Sequence, residues 1–119
     1  MLRHSGADGV MIGRGAYGRP WFPGHVAAFA ATGRLPETPT GDPLARLVLD
    51  HYDAVLAHYG PFLGVRNARK HLACYMDRAT PVSAGDNASR REILTSTDSR
   101  KIIGLLRTWF ADADMRRAA

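Results

Sequence analysis

The amino-acid sequence predicts an all-α chain: an antiparallel helical bundle of four main helices plus a short N-terminal helix, preceded by one strand and a glycine loop. Two observations predict the bundle. Every apolar run after residue 42 repeats with a helical period, and Gly or Pro punctuates most of the intervals between the runs. A third observation sets the strand apart, because Val10-Met11-Ile12 is the one convincing strand-like run and a single strand cannot make a sheet. Its partners are expected outside the sequence. The 119 residues suffice for one domain and leave little room for two cores. No run nears the roughly 18 apolar residues of a membrane helix, and MLRHSGADG lacks a signal-peptide core, so a cytoplasmic protein without membrane attachment is expected. The lone cysteine, Cys74, excludes an internal disulfide and a thiolate metal site, and no metal is expected.

The elements follow in order. GADGVMI, residues 6–12, runs from a loop or helix end into the strand, which the cluster GRGAYG from Gly13 to Gly18 closes. Pro20 can open a helical turn, and His25 to Thr32 continues as a short helix that Gly33 caps at its C-terminus. Gly33 to Gly41 is a proline-rich connector. Asp42-Pro43 then starts the most secure helix, since Asp42 can accept from free amides and Pro43 sacrifices no hydrogen bond at the first helical position. Leu44, Leu47, Val48, His51, Tyr52, Val55, Leu56 and Tyr59 lie on one broad face of it. Gly60-Pro61 ends this helix, and another is predicted from Gly64 to Arg78, burying Val65, Ala68, Leu72 and Tyr75 or Met76, with Arg66, Arg69 and Lys70 on a different side. After a break at Pro81 to Gly85, Asp86 can cap a helix through Thr95, in which Ser89 and Glu92 have capping-box spacing. Thr97 or Asp98 starts the last helix, whose apolar face is Ile102, Ile103, Leu105, Leu106, Trp109 and Phe110.

The formal net charge is +5, and all of that excess lies after residue 60. Fourteen of the 16 basic residues are arginine, whose planar fork suits phosphate oxygens, so a polyanionic partner such as nucleic acid is expected, against the simpler account of a solvated helix face. Arg66, Arg69 and Lys70 stand at i, i+3 and i+4, flanked by Asn67 and His71, so one helix face can bridge adjacent phosphates.

Gly13-Arg14-Gly15-Ala16-Tyr17-Gly18 matches G-x-G-x-x-G after a strand-like run, but a dinucleotide fold needs a second strand ending in an acid about 20 residues on, and here Glu37 sits between two prolines. What survives is narrower. Backbone amides at such a glycine turn can approach an anion, Arg14 can add a charged fork, and eight-stranded barrels hold cofactor phosphates in loops after their last strands. A plain glycine turn is the alternative. His51 and His58 have no neighbouring ligand set and read as core or groove histidines; Cys74 reads as a small buried hydrophobe. Tyr17, Trp21 and Phe22 beside Arg14 and Arg19 either stack on a base or flavin edge or simply pack.

GADGVMIGRGAYGRPW (Gly6 to Trp21), YGP (Tyr59 to Pro61) and RNARKH (Arg66 to His71), in this order and at this spacing, resemble the C-terminal part of bacterial tRNA-dihydrouridine synthases, most closely the B-type subgroup once labelled nitrogen-regulation proteins. The resemblance covers nearly the whole chain. It implies an FMN-binding eight-stranded barrel followed by a helical domain that grips tRNA. The implied reaction reduces uridine in the D-loop region to 5,6-dihydrouridine: NADPH reduces the flavin, the flavin passes hydride to the uracil, and a barrel cysteine supplies the proton. Under it, residues 1–22 are the C-terminal remnant of the barrel, 23–41 a short helix and connector, and 42–119 the tRNA-binding domain. Gly13 and Arg14 match the final FMN-phosphate contact; Arg66, Arg69, Lys70 and His71 match the basic tRNA-binding motif. Cys74 does not match the catalytic cysteine, which belongs upstream, so the piece is expected to be inactive alone, with residues 1–20 irregular in isolation.

Two other classes compete. A DNA-binding regulator fits the basic helices, but the last helix is too broadly apolar for a major groove. A protein-docking bundle would instead present an exposed apolar patch.

Overall fold

The computed structural model describes residues 2–79 and 87–118. Its regular structure is all helical: α1 (Leu2–Ser5), a 3-10 turn (Arg14–Ala16), α2 (Phe22–Thr32), α3 (Gly41–Ala79), α4 (Asn87–Thr95) and α5 (Ser99–Ala118), with no strand among the described residues. Val10-Met11-Ile12 thus forms no strand in this chain, and Leu2–Ser5 and Arg14–Ala16 are short helical turns within a stretch expected to be irregular throughout. Residues 8–13 carry no regular structure and Met11 is 93% exposed, because a strand without a neighbour leaves its ladder groups to water and gains nothing from being extended.

Gly33 adopts a left-handed φ of 75° and its amide donates to the Phe29 carbonyl, ending α2 as expected. Asp98 caps α5: its Oδ1 accepts from the amides of Arg100 (3.1 Å) and Lys101 (3.4 Å). Asp86 and the break at 81–85 lie outside the described residues. Ser89 falls inside the first turn of α4 rather than at its cap.

α3 is two helical arms joined at one residue. Gly60 takes φ 85° and ψ 166°, and Pro61 opens the second arm immediately, so residues 61–63 are helical where a connector was expected. The cause is local: proline ahead pushes Gly60 out of the helical basin, while proline itself suits the first helical position. At Gly64 an added Cβ would lie 2.9 Å from the Leu56 Cα, so the absence of a side chain lets the two arms close on each other.

The core joins Leu44, Val48 and Tyr52 of the first arm to Val65, Ala68, Leu72, Tyr75 and Met76 of the second, with Ile93 of α4 and Ile102, Leu106, Trp109, Phe110 and Ala113 of α5. Both Tyr75 and Met76 are buried. Tyr59, assigned by period to the apolar face, is 50% exposed, because the face ends where the helix bends away at Gly60. Among the described residues, no fully buried hydrophobic side chain precedes Leu44. The radius of gyration, 16.2 Å, exceeds the roughly 13.5 Å of a compact chain this long. The first 41 residues therefore lie against the core rather than within it.

Candidate nucleic-acid interface

The second arm of α3 is built on a simple rule. Val65, Ala68, Leu72 and Tyr75 turn inward at helical spacing, which leaves 62, 63, 66, 67 and 70 facing water. Arg66 and Lys70 are exposed there, one turn apart, and among the described residues neither pairs with a carboxylate. Two ion pairs of the described residues lie elsewhere: Arg90 with Asp77 at 2.8 Å, and Lys101 with Glu92. Asp77, the acid of this arm, is therefore engaged by α4.

Arg69 does something else. It is half-buried, its terminal nitrogen donates to the Thr95 carbonyl at 3.3 Å, and its Nε is shielded from solvent with no acceptor. Position i+3 from Arg66 has rotated toward the end of α4, where the last carbonyls lack helical partners. The geometry divides the basic motif: Arg66 and Lys70 are free for a ligand, and Arg69 ties α3 to α4.

His71 is drawn inward too. Its ring meets Tyr17 edge-on at 5.2 Å and His51 at 5.1 Å, and a 2.9 Å hydrogen bond joins His51 Nδ1 to the Tyr75 hydroxyl. Burial pushes the pKa of both imidazoles below the usual 6.5, His71 further so through the neighbouring His51 and Lys70. Burial raises the Tyr75 phenol to about 12. This cluster binds the residue 13–22 segment to α3. Arg78 Nε donates to the Tyr17 carbonyl at 2.8 Å, and Gly18, at φ 75°, packs so closely that a Cβ would lie 2.6 Å from the Cys74 carbonyl oxygen. Lys70 Nζ stands 5.9 Å from the Tyr17 ring centroid, so the exposed cations adjoin the docked segment.

Gly13 and Arg14 are exposed at the start of the 3-10 turn, in which the amides of Ala16 and Tyr17 donate to the Gly13 and Arg14 carbonyls. The structure brings Tyr17, three residues beyond Arg14, to the basic arm. A groove of about 390 Å³ between this segment, the connector and α3 is lined by Trp21, Phe22, His25, Pro36, Tyr75 and Arg78, and includes none of the six sequence-predicted site residues. His58 lies exposed against Tyr59. Cys74 is half-buried. Among the described residues there is no group of three or more His, Cys, Asp or Glu able to hold a metal, and no helix is long and apolar enough to cross a membrane.

Sequence reasoning missed Tyr17 as the residue that joins segment and helix, and Phe62 as a surface aromatic. Phe62 had a signal in its place directly after Gly-Pro, since proline there opens a helix and puts 62 and 66 one turn apart.

Residues 1–107 match the family model described as dihydrouridine synthase (Dus). A "Probable tRNA-dihydrouridine synthase" of Rhizobium leguminosarum bv. phaseoli is 41% identical over 106 residues, 89% of this chain and 31% of that protein. A protein of the same name from Rhodobacter capsulatus is 38% identical over 113 residues, 95% of this chain and 33% of its own length. The tRNA-dihydrouridine synthase B of Xanthomonas axonopodis pv. citri is 51% identical over 75 residues, 63% of this chain and 23% of its own. The chain spans about a third of the length of the first two of these curated relatives.

Proposed function

The chain belongs to the dihydrouridine synthase family, and from that membership we propose that it is the tRNA-gripping C-terminal part of a B-type, flavin-dependent tRNA-dihydrouridine synthase. The observation that carries this reading is the pair Arg66 and Lys70: exposed, unpaired with any described carboxylate, and one turn apart on a single arm. They neutralise phosphates of the tRNA backbone. Arg69 and His71 act behind them, Arg69 by holding the arm to α4 and His71 by seating Tyr17, so the four motif residues share one task without all touching RNA.

Residues 1–22 are, in this reading, the end of an FMN-binding barrel whose last strand orders only against its sheet; 23–41 connect; and 42–119 form the helical domain, an antiparallel bundle. Gly13 and Arg14 fit an FMN phosphate by the chemistry of their donors: an exposed guanidinium beside the amides of Arg14 and Gly15, which unlike those of Ala16 and Tyr17 make no hydrogen bond within the turn. A flavin held there would supply the hydride, drawn from NADPH, for reduction of uracil to 5,6-dihydrouridine, and the accompanying proton would come from a group outside these residues. This chain's residues hold and orient; none supplies a reacting group, so the chain alone is inactive. The reaction belongs in the cytoplasm, where tRNA is processed.

The test is the affinity of the chain for unmodified tRNA and for duplex DNA of equal charge across a salt series. Preference for tRNA, and a salt slope reduced by about two in the Arg66→Ala, Lys70→Ala double variant, is expected. Equal binding to both nucleic acids, unchanged by the substitutions, would show the arm to be only a solvated face.

A further inference from the structure

The two cations account for only part of the exposed face of the second arm. Phe62 is 67% exposed and Leu63 53% at the start of this arm, Tyr59 is 50% exposed at the end of the first arm across the Gly60 bend, and the Arg66 guanidinium lies over the Phe62 ring at 4.7 Å from its centroid. The outward positions 62, 63, 66, 67 and 70 are Phe, Leu, Arg, Asn and Lys, with no acid among them. A solvated helix face would place polar residues at 62 and 63; large apolar groups left in water together mark a surface with a partner.

Charge decides the partner. Apolar rings interleaved with unpaired cations complement a polyanion that has flat faces of its own, which describes an RNA strand with splayed bases. Arginine stacked on phenylalanine also widens the flat surface and carries positive charge to its edge. We propose that Tyr59, Phe62 and Arg66 form a stacking platform for an unpaired nucleobase. The chain then grips a looped or unstacked stretch of tRNA, with Lys70 on the adjoining phosphate. This rests on the tRNA reading above and adds which state of the RNA is held. Rings standing on a convex helix reach a base only when it has left its stack, because the A-form major groove is too deep and narrow to admit them.

The test uses the whole chain with two probes: a hairpin RNA carrying 2-aminopurine in its loop, and a blunt RNA duplex with the same number of phosphates. The hairpin is expected to bind more tightly and its fluorescence to change on binding. Phe62→Ala should weaken hairpin binding roughly tenfold, abolish the fluorescence change and leave duplex affinity and the salt slope as they were. Phe62→Trp should keep both. Because Phe62 is exposed, the alanine variant is expected to keep its circular dichroism and melting temperature, which are recorded alongside. If Phe62→Ala and Tyr59→Ala bind the hairpin like the parent while Arg66→Ala and Lys70→Ala weaken it, the platform is overturned and the tRNA grip stands. If the parent chain binds neither RNA at any salt, both fall. If Phe62→Ala leaves RNA binding intact but abolishes a concentration-dependent dimer in sedimentation, the patch serves a second copy and the platform is overturned.

Discussion

Arg66 and Arg69 are three residues apart and carry the same group, yet one is exposed and the other is half-buried and bonded to the Thr95 carbonyl, and this difference can be measured. Arg69→Ala removes a hydrogen bond to the Thr95 carbonyl and should cost about 1 kcal/mol in urea unfolding. Arg66→Ala and Lys70→Ala, on exposed groups, should stay within about 0.5 kcal/mol. RNA binding should show the converse ranking. The histidine cluster predicts a pH profile. His51 and His71 have folded pKa values below 6.5, so the unfolded chain takes up more protons than the folded one as pH falls through that value. Stability is therefore fully present above 6.5 and declines as the pH falls toward the folded values. Tyr75, raised to about 12, acts from the other side: above its ordinary 10 the unfolded chain loses the proton first and stability falls again. Urea midpoints taken from pH 5 to 8 should fall on the acid side, and less so in a His51→Gln, His71→Gln double variant.

Among the elements, α3 and α5 depend on a few backbone decisions. Gly60→Ala puts a side chain at φ 85°, ψ 166°, where L residues are strained, and should cost about 1–3 kcal/mol by chemical denaturation. Asp98→Ala removes the acceptor for two amides at the start of α5 and should cost about 1 kcal/mol in the same measurement. These features were legible in the residues themselves. A Gly-Pro pair and an Asp four residues before an apolar stripe act on their own backbone, so reading them needs no knowledge of the neighbours. The side of the helix on which Arg69 lies was not legible. Spacing puts it with Arg66 and Lys70, and only the position of the last turn of α4 turns it inward. Tyr59 fails for the same reason, since its period continues but its helix bends.

Across the molecule, the apolar period from Leu44 to Phe110 foresaw most of the core, since helices recruit partners from within this chain, but it passed over the buried Ile93 and Ala113. The run Val10-Met11-Ile12 was legible only as a conditional, because a strand's partners must be supplied and none lies among the described residues. The positive excess after residue 60 likewise foretold a basic surface, but which bases remain free depended on Asp77 and Glu92 taking Arg90 and Lys101.

The contact between Arg78 and the Tyr17 carbonyl spans 61 positions of chain. The bond is exposed to solvent, and the segment it holds adds no fully buried hydrophobic side chain to the core among the described residues, so it is expected to form after α3, α4 and α5 have gathered. It is also expected to be the first to let go. Docking of residues 14–22 is then a folding step of its own, opening below the global free energy. In hydrogen exchange, the amides of Gly33 and Phe22 should separate from those of Leu72 and Leu106, the former exchanging through local opening and the latter only when the whole chain unfolds. A chain built this way can complete its helical core before its first 40 residues have found their place.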